Sequence, residues 1–490
     1  MFEHRKRKSF LSLSTSNPNS PLSVSTRMAS PKFSVPLPHN RLKDVLLLLS
    51  IVFIIYVFFH SPPTPPRAVT APFSPSYAAS SRHHLVFAIA SSSASFVDRI
   101  PYLKLWYDPD TTRAFVFVDG APAGFASDPT LPPLIVSEDT SRFPYTYKGG
   151  LKSAVRVARV VKEIVELNQS DVRWFVFGDD DTLFFVDNLL ETLSKYDHNE
   201  WYYIGSNSES YDQNLRYSFD MAFGGGGFAI SYPLAKVLAR VLDSCLIRYA
   251  NLYGSDARIF SCLAELGVTL THEPGFHQVD MRGSLFGLLS AHPVSPLVSL
   301  HHLDAVDAIF PSMNRTQAMH HLFEAVSKDH ARILQQTVCY DRKNSLTVSV
   351  AWGYSVQVFE GNEPLPDLIL PQRTFRPWRR SRMGDFSRLM FNVREYPKNP
   401  CKRPAVFFME KVSLIDNGIW STYRRHREED CSRANAVNNL ERIRVFSHKL
   451  ESHAGQMIAS RRQCCDVSGF NESMVVSIRQ CGVDELISMH

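Results

Sequence analysis

The sequence has little of what marks a nucleic-acid-binding protein, a disordered protein or a small disulfide-stabilised protein. Its 490 residues carry a formal net charge of only +5, and only eight of them are cysteine. With 44% hydrophobic and 21% charged residues, the chain is too apolar for a disordered acidic or basic protein. It has no internal repeat and no basic stripe interleaved with aromatic residues. We therefore expect two or three folded domains and no nucleic-acid partner.

The small positive excess is confined to one end of the chain. Residues 1–44, also rich in Ser and Pro, hold eight basic and two acidic side chains, whereas the remainder is close to neutral. An uncharged apolar run at 45–60 follows, without the A-x-A site of a cleaved signal peptide. It predicts a transmembrane signal-anchor, with the basic tail in the cytosol. The Pro-rich residues 61–82 predict a stem that leads to a lumenal domain.

Two further patterns are compatible with a lumenal location. Asn168, Asn314 and Asn471 begin N-glycosylation sequons, although three in a chain of this length is close to chance. Five of the cysteines lie in the last 90 residues, and the sequence has no C-x-x-C pair. This distribution favours disulfides over a zinc site, but the pairing cannot be deduced from sequence.

Apolar runs alternate with amphipathic stretches between residues 83 and 335. Three segments contain apolar runs without polar alternation, as strands buried on both faces of a sheet do: 85–90, 113–120 and 172–181. Apolar residues at helical spacing follow at 151–167. The alternation predicts an α/β domain with a parallel sheet. Asp119 and Asp179–Asp181 follow such runs, and ligands of open α/β sheets bind beyond the carboxyl ends of the strands.

The three consecutive acids are the strongest chemical signal in this domain. Asp179 and Asp181, as alternate residues, present oxygens on one side of the chain, and oxygen ligands suit Mg²⁺ or Mn²⁺. Such an ion neutralises charge on a leaving nucleoside diphosphate. The alternative interpretation is a solvated turn in which Asp181 and Thr182 cap the next helix.

Six motifs in order then resemble fringe-type β-1,3-glycosyltransferases, and above all the plant fringe-related branch that carries the domain of unknown function DUF604. They are RWFVFGDDD at 173–181, YYIGS at 202–206, FGGGGFAIS at 223–231, GSDARI at 254–259, FHQ at 276–278 and PLVSLHHLD at 296–304. The last also resembles the end of the core 1 galactosyltransferase domain. The resemblance covers roughly residues 83–335.

This resemblance implies a fold, a reaction and a location. The implied fold is the glycosyltransferase A type, an α/β fold with a Rossmann-like mixed sheet and helices on both faces. The implied reaction is inverting transfer of a hexose or N-acetylhexosamine from a UDP-sugar, with Mn²⁺ or Mg²⁺, to a glycan or glycoprotein. The implied location is the Golgi membrane, as a single-pass type II protein with a lumenal catalytic domain. The alternative function is that of a catalytically inactive fringe-like protein of the Golgi that binds glycans or acts as a scaffold.

The resemblance also implies a metal site and a catalytic base. Asp181 matches the metal-binding last acid of the family's D-x-D motif, and Asp179 is expected to support it. Asp256 matches the base that takes the proton of the acceptor hydroxyl, although Ser255 replaces the first acid of the family's pair. An N-cap of the following helix is the alternative role for Asp256.

The remaining ligand and the donor contacts follow less directly from the resemblance. His301 matches the histidine ligand of the core 1 enzyme. His277 is the alternative ligand, because the second histidine of the fringe F-H-x-H run is replaced by Val279. The residues expected near the donor are Asp119, Lys152, Arg156, Asp180, Gly225 and Gly226.

Residues 336–490 match none of these motifs. Partial alternation at 345–359 and an apolar run at 404–414 predict strands. Together with the cysteines, they predict a β-rich, disulfide-containing accessory module packed on the catalytic domain. The polar stretches 375–386 and 421–430 are expected to form surface or loops.

Overall fold

A computed structural model of the chain describes these residues: 49–53, 56, 80–378, 388–415, 418–427, 431, 435–451, 459–469 and 472–489. The chain divides into two units, Met1–Ala71 and Pro72–His490. In the first unit, residues 49–53 and 56 are helical. No helix within the described residues is long and apolar enough to cross a membrane. The predicted tail, Asn471 and most of the predicted anchor and stem lie outside the described residues.

In the second unit, helices and strands alternate up to about residue 335, and strands dominate after it. The helices are α1 (Phe96–Trp106), α2 (Ser153–Glu166), α3 (Val186–Leu193), α4 (Tyr211–Arg216), α5 (Tyr232–Arg248), α6 (Ser255–Glu265), α7 (Phe286–Leu289), α8 (Arg315–Val326), α9 (Leu365–Leu368) and α10 (Asn435–Asn438). Short 3-10 helices cover Arg82–His84, Leu303–Ala305, His330–Arg332 and Pro400–Lys402.

The strands before residue 336 are short. They are β1 (Leu85–Ala90), β2 (Arg113–Val118), β3 (Leu134–Val136), β4 (Trp174–Asp179), β5 (Leu183–Phe184), β6 (Tyr203–Gly205), β7 (Phe228–Ser231), β8 (Leu270–His272), β9 (Phe276–His277), β10 (Met281–Gly283) and β11 (Ser299–Leu300). Those after it are β12 (Gln336–Asp341), β13 (Leu346–Ala351), β14 (Ser355–Glu360), β15 (Phe375–Pro377), β16 (Ala405–Ile415), β17 (Gly418–His426), β18 (Arg442–Ser447), β19 (Cys464–Ser468) and β20 (Ser473–Arg479).

A mixed seven-stranded sheet, in the order β3-β2-β1-β4-β7-β6-β8, organises the first part. β3, β2, β1 and β4 are mutually parallel, β7 is antiparallel to both of its neighbours, and β8 is parallel to β6. The mixed sheet of the predicted α/β fold is therefore present. The apolar run at 85–90 forms β1, and the runs within 113–120 and 172–181 form β2 and β4. β4 is the middle strand of the sheet, and β1 is fully buried beside it.

Helices cover both faces of this sheet. Successive residues of β1 point to opposite faces, so the strand contributes to two hydrophobic cores. Phe87 and Ile89 share a core with α1, whereas Val86 and Ala88 share another with α2, α5 and α6. The amphipathic 151–167 run is α2, and its apolar side packs into the second core. A disulfide between Cys245 and Cys262 joins α5 to α6.

A small three-stranded sheet lies beyond the carboxyl end of β4. Its central strand β11 is antiparallel to β5 and parallel to β9. Because β5 begins two residues after Asp181 and β11 ends just before His301, their pairing brings the two distant sequence motifs together.

An eight-stranded sheet, in the order β12-β13-β14-β16-β17-β18-β20-β19, forms most of the second part and begins at Gln336. Its two outermost strands are linked by the disulfide Cys339–Cys465. The pairs Cys401–Cys431 and Cys464–Cys481 complete a set that uses all eight cysteines. The expectation of a β-rich, disulfide-containing part is therefore confirmed.

One prediction for this part is wrong. Residues 418–426 are strand β17, and not the surface or loop expected at 421–430. Buried Ser421, Thr422 and Tyr423 precede the more exposed Arg424, and the strand pairs with β16 and β18. Tertiary pairing on both sides overrides the polar composition. Part of the other stretch forms β15, which pairs with β10.

The hydrophobic core is continuous between the two parts. A single cluster includes Leu189 and Leu322 from the first part and Trp352 and Phe407 from the second. The second part is thus packed against the first along a shared apolar interior.

Candidate metal and catalytic site

The turn after β4 fixes the three acids in place. The Thr182 hydroxyl accepts a hydrogen bond from the Asp179 backbone N–H (2.9 Å) and donates one to the carbonyl of Gly225 (2.8 Å). β5 follows at once and α3 begins only at Val186, so the alternative of a helix cap at Asp181 and Thr182 is wrong. The turn instead links the acids to residues 224–227, four consecutive glycines that we call the glycine loop.

Asp179, Asp181 and His301 converge, with ligand atoms within 4.8 Å of one another. His301 Nε2 lies 3.0 Å from Asp181 Oδ1 and 3.7 Å from Asp179 Oδ2. His301 Nδ1 is 3.3 Å from the carbonyl oxygen of Gln278, which can only accept, so Nδ1 carries a hydrogen. The other ring nitrogen therefore faces the two carboxylates, the arrangement that a metal-ligating histidine needs.

The electrostatics of this cluster reflect crowded negative charge. Burial raises the pKa of Asp179 to about 7, with Asp181 and Asp256 adding to the shift against the opposing effect of His301. Since 43% of the Asp179 side chain is exposed, water weakens that shift. Burial lowers the pKa of His301, but Asp181 and then Asp179 outweigh it and raise the pKa to about 9. Burial also raises the pKa of Asp181, yet His301 outweighs burial and holds it well below the usual range.

A second group of charges lies beside the cluster. It contains Asp180, which was predicted to lie near the donor, and Arg99, which no motif indicated. Asp180 accepts hydrogen bonds from the hydroxyls of Ser91 (2.6 Å) and Ser95 (3.1 Å), and it is not part of the group formed by Asp179, Asp181 and His301. Arg99, on α1, lies 3.6 Å from Asp180 and 3.7 Å from Asp181, and it also contacts Asp304. Arg99 thereby compensates part of the acidic charge.

Asp256 lies in the first turn of α6, where the helix N-terminus favours a negative charge. Helix α6 begins at Ser255 and its N-cap residue is Gly254, so Asp256 is not the N-cap. The Ser255 hydroxyl donates to Asp256 Oδ1 at 3.0 Å. Burial raises the pKa of Asp256. Asp256, Asp179 and Gly224 line the same small cavity.

The glycine loop owes its composition to the side chains packed on it. A Cβ on Gly225 would lie 2.0 Å from the His301 ring, and one on Gly224 would lie 2.7 Å from Asp256 Oδ1. A Cβ on Gly226 would lie 3.1 Å from the Gln278 backbone, and the Gly226 N–H donates to Gln278 Oε1 at 2.6 Å. Gly225 and Gly226, predicted to border the donor, thus let His301 and Gln278 approach the acids.

Of the three other residues predicted to contact the donor, Asp119 and Arg156 lie at strand ends, whereas Lys152 lies at the exposed start of a helix. Asp119 follows β2 and accepts a hydrogen bond from the Ser93 N–H at 2.7 Å. Arg156 is buried and donates to the carbonyl oxygens of Ser91 (2.6 Å) and Phe117 (3.2 Å). It therefore joins the ends of β1 and β2 near the acids. Lys152 is exposed at the start of α2, and the structure does not bring it to the acidic cluster.

His277 is not positioned as a metal ligand. Its Nδ1 lies 3.0 Å from Glu209 Oε1 and its Nε2 lies 2.9 Å from Nε2 of His292, so both ring nitrogens have partners. The group is buried beside β9, and His277 is absent from the cluster around Asp181. The alternative ligand proposed from the sequence is therefore wrong.

The second part of the chain also reaches the site. The ring of Trp378 stacks on His302, with centroids 4.4 Å apart and an interplanar angle of 13°. The guanidinium of Arg282 lies 4.4 Å from the same indole. β15 brings Trp378 there by pairing with β10. No sequence motif indicated this contact, because it depends on pairing between segments almost 100 residues apart.

Of the predicted glycosylation sites, Asn168 and Asn314 are exposed. Asn314 also caps α8, since its side chain accepts a hydrogen bond from the Gln317 N–H at 2.9 Å.

Comparison with known families decides the relationship of the chain. A family model described as "Protein of unknown function, DUF604" matches residues 213–465, just over half of the sequence. The chain belongs to this family. A Fringe-like family model matches residues 80–285. Together these matches support the fringe-related relationship predicted from the motifs.

Two curated relatives are similar over part of this DUF604 chain. The β-1,3-glucosyltransferase of Mus musculus is 26% identical over 198 residues, 40% of this chain and 36% of that protein. The β-1,3-glucosyltransferase of Homo sapiens is 32% identical over 120 residues, 24% of this chain and 23% of that protein. The chain therefore spans well under half the length of either relative.

A solved structure also aligns with the DUF604 chain, although loosely. It is a mannosyltransferase from Pyrobaculum calidifontis in complex with GDP-Man and Mn²⁺, with 14% identity and a TM-score of 0.27. The alignment covers 48% of this chain and 67% of that one. An alignment this loose does not bear on the fold or on the site.

Proposed function

We propose that this protein is a metal-dependent inverting glycosyltransferase with a glycosyltransferase A-type fold. It transfers a hexose or N-acetylhexosamine from a UDP-sugar to a glycan or glycoprotein and forms a β-1,3 linkage. The observation that carries the proposal is the convergence of Asp179, Asp181 and His301 at the end of β4, with Asp256 nearby. The Fringe-like match and the two β-1,3-glucosyltransferase relatives support the reaction class.

The residues of the cluster suit Mn²⁺ or Mg²⁺. Two carboxylates and one imidazole nitrogen face a common point, and carboxylates are the ligands these ions prefer. The raised pKa of Asp179 arises partly from repulsion by neighbouring carboxylates, which a divalent cation relieves. When bound, the ion supplies neutralisation of the charge on the leaving diphosphate.

The chain's own residues then have separate tasks. Asp256 accepts the proton of the acceptor hydroxyl as the oxygen attacks the anomeric carbon, and burial strengthens it as a base by raising its pKa. The Ser255 hydroxyl orients one of its oxygens. Arg156 and Thr182 hold the strand ends and the glycine loop, so that the acids keep their geometry. Catalysis in this view depends on preorganised charge.

We also propose that the protein is a type II Golgi membrane protein, anchored by residues 45–60. Three observations support a lumenal domain. All eight cysteines are paired, as an oxidising compartment favours, and Asn168 and Asn314 are exposed in their sequons. The basic tail precedes the apolar run.

The test uses the full-length chain in mild detergent, with Mn²⁺ and a panel of UDP-sugars. We expect hydrolysis or transfer of one donor, and a loss of about 10²–10⁴-fold in kcat for Asp256→Asn. Asp181→Ala is expected to lose activity together with Mn²⁺ affinity. Asp110→Asn, an exposed acid away from the site, is the matched control and should keep full activity.

The outcomes separate the hypotheses. Unchanged turnover in both site variants would contradict the assignment of the site. No turnover by the unaltered chain with any donor would favour an inactive, glycan-binding relative.

A further inference from the structure

Residues 276–280 contain β9 and the connection to β10, and they support His301. β9 pairs in parallel with β11, the strand that ends just before His301. Gln278 is buried, and its carbonyl oxygen accepts a hydrogen bond from His301 Nδ1 at 3.3 Å. Its side-chain oxygen accepts another from the Gly226 N–H at 2.6 Å. The position of Gln278 therefore determines where both the histidine ring and the glycine loop lie.

The residue after Gln278 has a backbone conformation that needs support. Val279 has a φ of 55°, in the left-handed region that a β-branched side chain rarely adopts. Such a conformation persists only where the surrounding contacts fix it, and it is found mainly at functional sites. Because Val279 follows Gln278 directly, relaxation of its backbone would displace the Gln278 carbonyl from His301.

The support comes from Glu209, in the loop between β6 and α4. Its side chain is buried. Oε2 accepts a hydrogen bond from the Val279 N–H at 2.9 Å, and Oε1 lies 3.0 Å from His277 Nδ1. The two oxygens of one carboxylate thus hold the residues on either side of Gln278, from a position 70 residues earlier in the chain.

The hydrogens of this buried group can be assigned from donors and acceptors. The Pro293 carbonyl can only accept, so His292 Nδ1, 2.9 Å away, carries a hydrogen. Burial and then the neighbouring His277 lower the pKa of His292 to about 3, so this ring is neutral and its Nε2 accepts. His277 Nε2, 2.9 Å from it, therefore donates. One further proton lies between His277 Nδ1 and the Glu209 carboxylate.

We infer that Glu209 is a positioning residue for His301. Its carboxylate fixes the backbone on either side of Gln278, and the Gln278 carbonyl then holds the His301 ring so that Nε2 faces Asp179 and Asp181. Outer contacts of this kind set the orientation and the tautomer of a ligating histidine. The inference rests on the metal site of the proposed function, but its test needs no sugar donor.

Two conservative substitutions separate hydrogen bonding from charge. In Glu209→Gln the amide oxygen still accepts from the Val279 N–H, and the amide nitrogen donates to Nδ1 of a neutral His277, so both contacts remain without the charge. In Glu209→Asp the charge remains, but the side chain is one methylene shorter. It cannot make both contacts unless the loop moves. A positioning role therefore predicts that Gln, and not Asp, replaces Glu209.

The test uses the full-length chain in mild detergent, with Mn²⁺ alone as the probe. Spin-resonance titration measures the affinity, and pulsed spin resonance detects the nitrogen coupling of a histidine ligand to the bound ion. We expect Glu209→Asp to lower the affinity by about 10–100-fold and to weaken the nitrogen coupling. Glu209→Gln should keep both as in the unaltered chain.

The matched control is Glu163→Ala. Glu163 is also a buried glutamate with a charged partner, Arg159, but both lie on α2. Its loss should lower the temperature of thermal unfolding and leave Mn²⁺ affinity and the nitrogen coupling unchanged. A loss of stability alone is thereby distinguished from a displaced ligand.

The other outcomes overturn the inference. Loss of affinity in Glu209→Gln, with or without a loss in Glu209→Asp, shows that Glu209 acts by its charge. Unchanged affinity in both variants, or a lower affinity with unchanged nitrogen coupling in Glu209→Asp, removes Glu209 from the support of His301. Donor turnover judges the proposed function separately. If the unaltered chain uses no donor but the two variants differ as expected, the proposed function fails while the role of Glu209 stands.

Discussion

At the scale of single residues, His301 sits over a position that has room only for glycine. Its ring occupies the space that a side chain at 225 would fill, and the carbonyl of Gly225 is held by Thr182. The same hydroxyl accepts from the Asp179 N–H. Small changes in the glycine loop are therefore passed directly to the histidine and to the first acid.

Replacement of Gly225 by Ala tests this dependence. The new Cβ would lie 2.0 Å from the His301 ring, so the ring has to move away from Asp181. We expect Mn²⁺ affinity to fall by about 10–100-fold, the usual effect of disturbing the support of a ligand. Spin-resonance titration of free Mn²⁺ measures it.

The matched control for that change is Gly482→Ala. There the added Cβ would be in ordinary contact, 3.5 Å from Glu485, so Mn²⁺ affinity should not change. Unaltered affinity in Gly225→Ala would instead remove His301 from the ligand set.

The acids of the site were predictable from the sequence, whereas their supporting residues were not. Asp181 and Asp256 follow recognisable motifs, and the end of a buried strand is a known place for ligands. Arg99 is separated from those motifs by long stretches of chain and meets them only through packing of α1. Asp304 ends the PLVSLHHLD motif, but its pairing with Arg99 depends on the same packing. The choice between His277 and His301 needed the pairing of β11 with β5.

At the scale of secondary structure elements, patterning worked where burial was complete. β1 coincides with the apolar run 85–90, and α2 lies within 151–167. The patterning failed for β17. Its arginines predicted an exposed segment, although the strand is paired with a neighbour on each edge. Sequence patterns indicate which face of an element is buried, but they do not indicate which distant strand it pairs with.

A prediction at this scale concerns the packing of the 3-10 helix His330–Arg332 on α3. His330 Nε2 lies 3.1 Å from Glu191, and Nδ1 lies 3.7 Å from Asp187. Burial lowers the pKa of His330, but Glu191 and then Asp187 outweigh it and raise the pKa above its ordinary value. A raised folded-state pKa contributes stability that is complete below the unfolded pKa and lost as pH rises through the folded one.

His330→Gln should therefore destabilise the protein more at about pH 5.5 than at about pH 8.5. Urea unfolding at the two pH values measures the difference. His320→Gln, an exposed histidine of α8, should show no such difference. A loss for His330→Gln that is equal at both pH values would contradict the ionic contact.

At the scale of the whole molecule, the two parts cannot be treated as separate domains with separate cores. The cluster that contains Leu322 of α8 also contains Trp352 and Phe407 of the eight-stranded sheet. The sequence predicted a β-rich accessory module because strands and cysteines have local signatures. It did not predict that β15 would reach the candidate site, since that contact depends on how the parts pack.

The disulfide Cys339–Cys465 joins the two outermost strands of that sheet across 126 residues. Its replacement by serines should lower the free energy of unfolding by about 2–5 kcal/mol, because a long loop is released in the unfolded chain. Chemical denaturation under non-reducing conditions measures the loss.

Serines at Cys401 and Cys431, whose separation is 30, provide the comparison. That double variant should lose less, by about 1 kcal/mol in the chain-entropy treatment. An equal or greater loss there would show that loop length does not govern the stabilisation.

The disulfide between the outermost strands can form only late in synthesis, because its two cysteines are far apart in the chain. Cys339 leaves the ribosome long before its partner, and 126 residues take roughly 6–25 s to translate. In the first part of that interval β10 lacks β15, and the apolar side of α8 lacks β16, until residues 375–377 and 405–415 have been made. The disulfide therefore cannot form until almost the last described strand has been made.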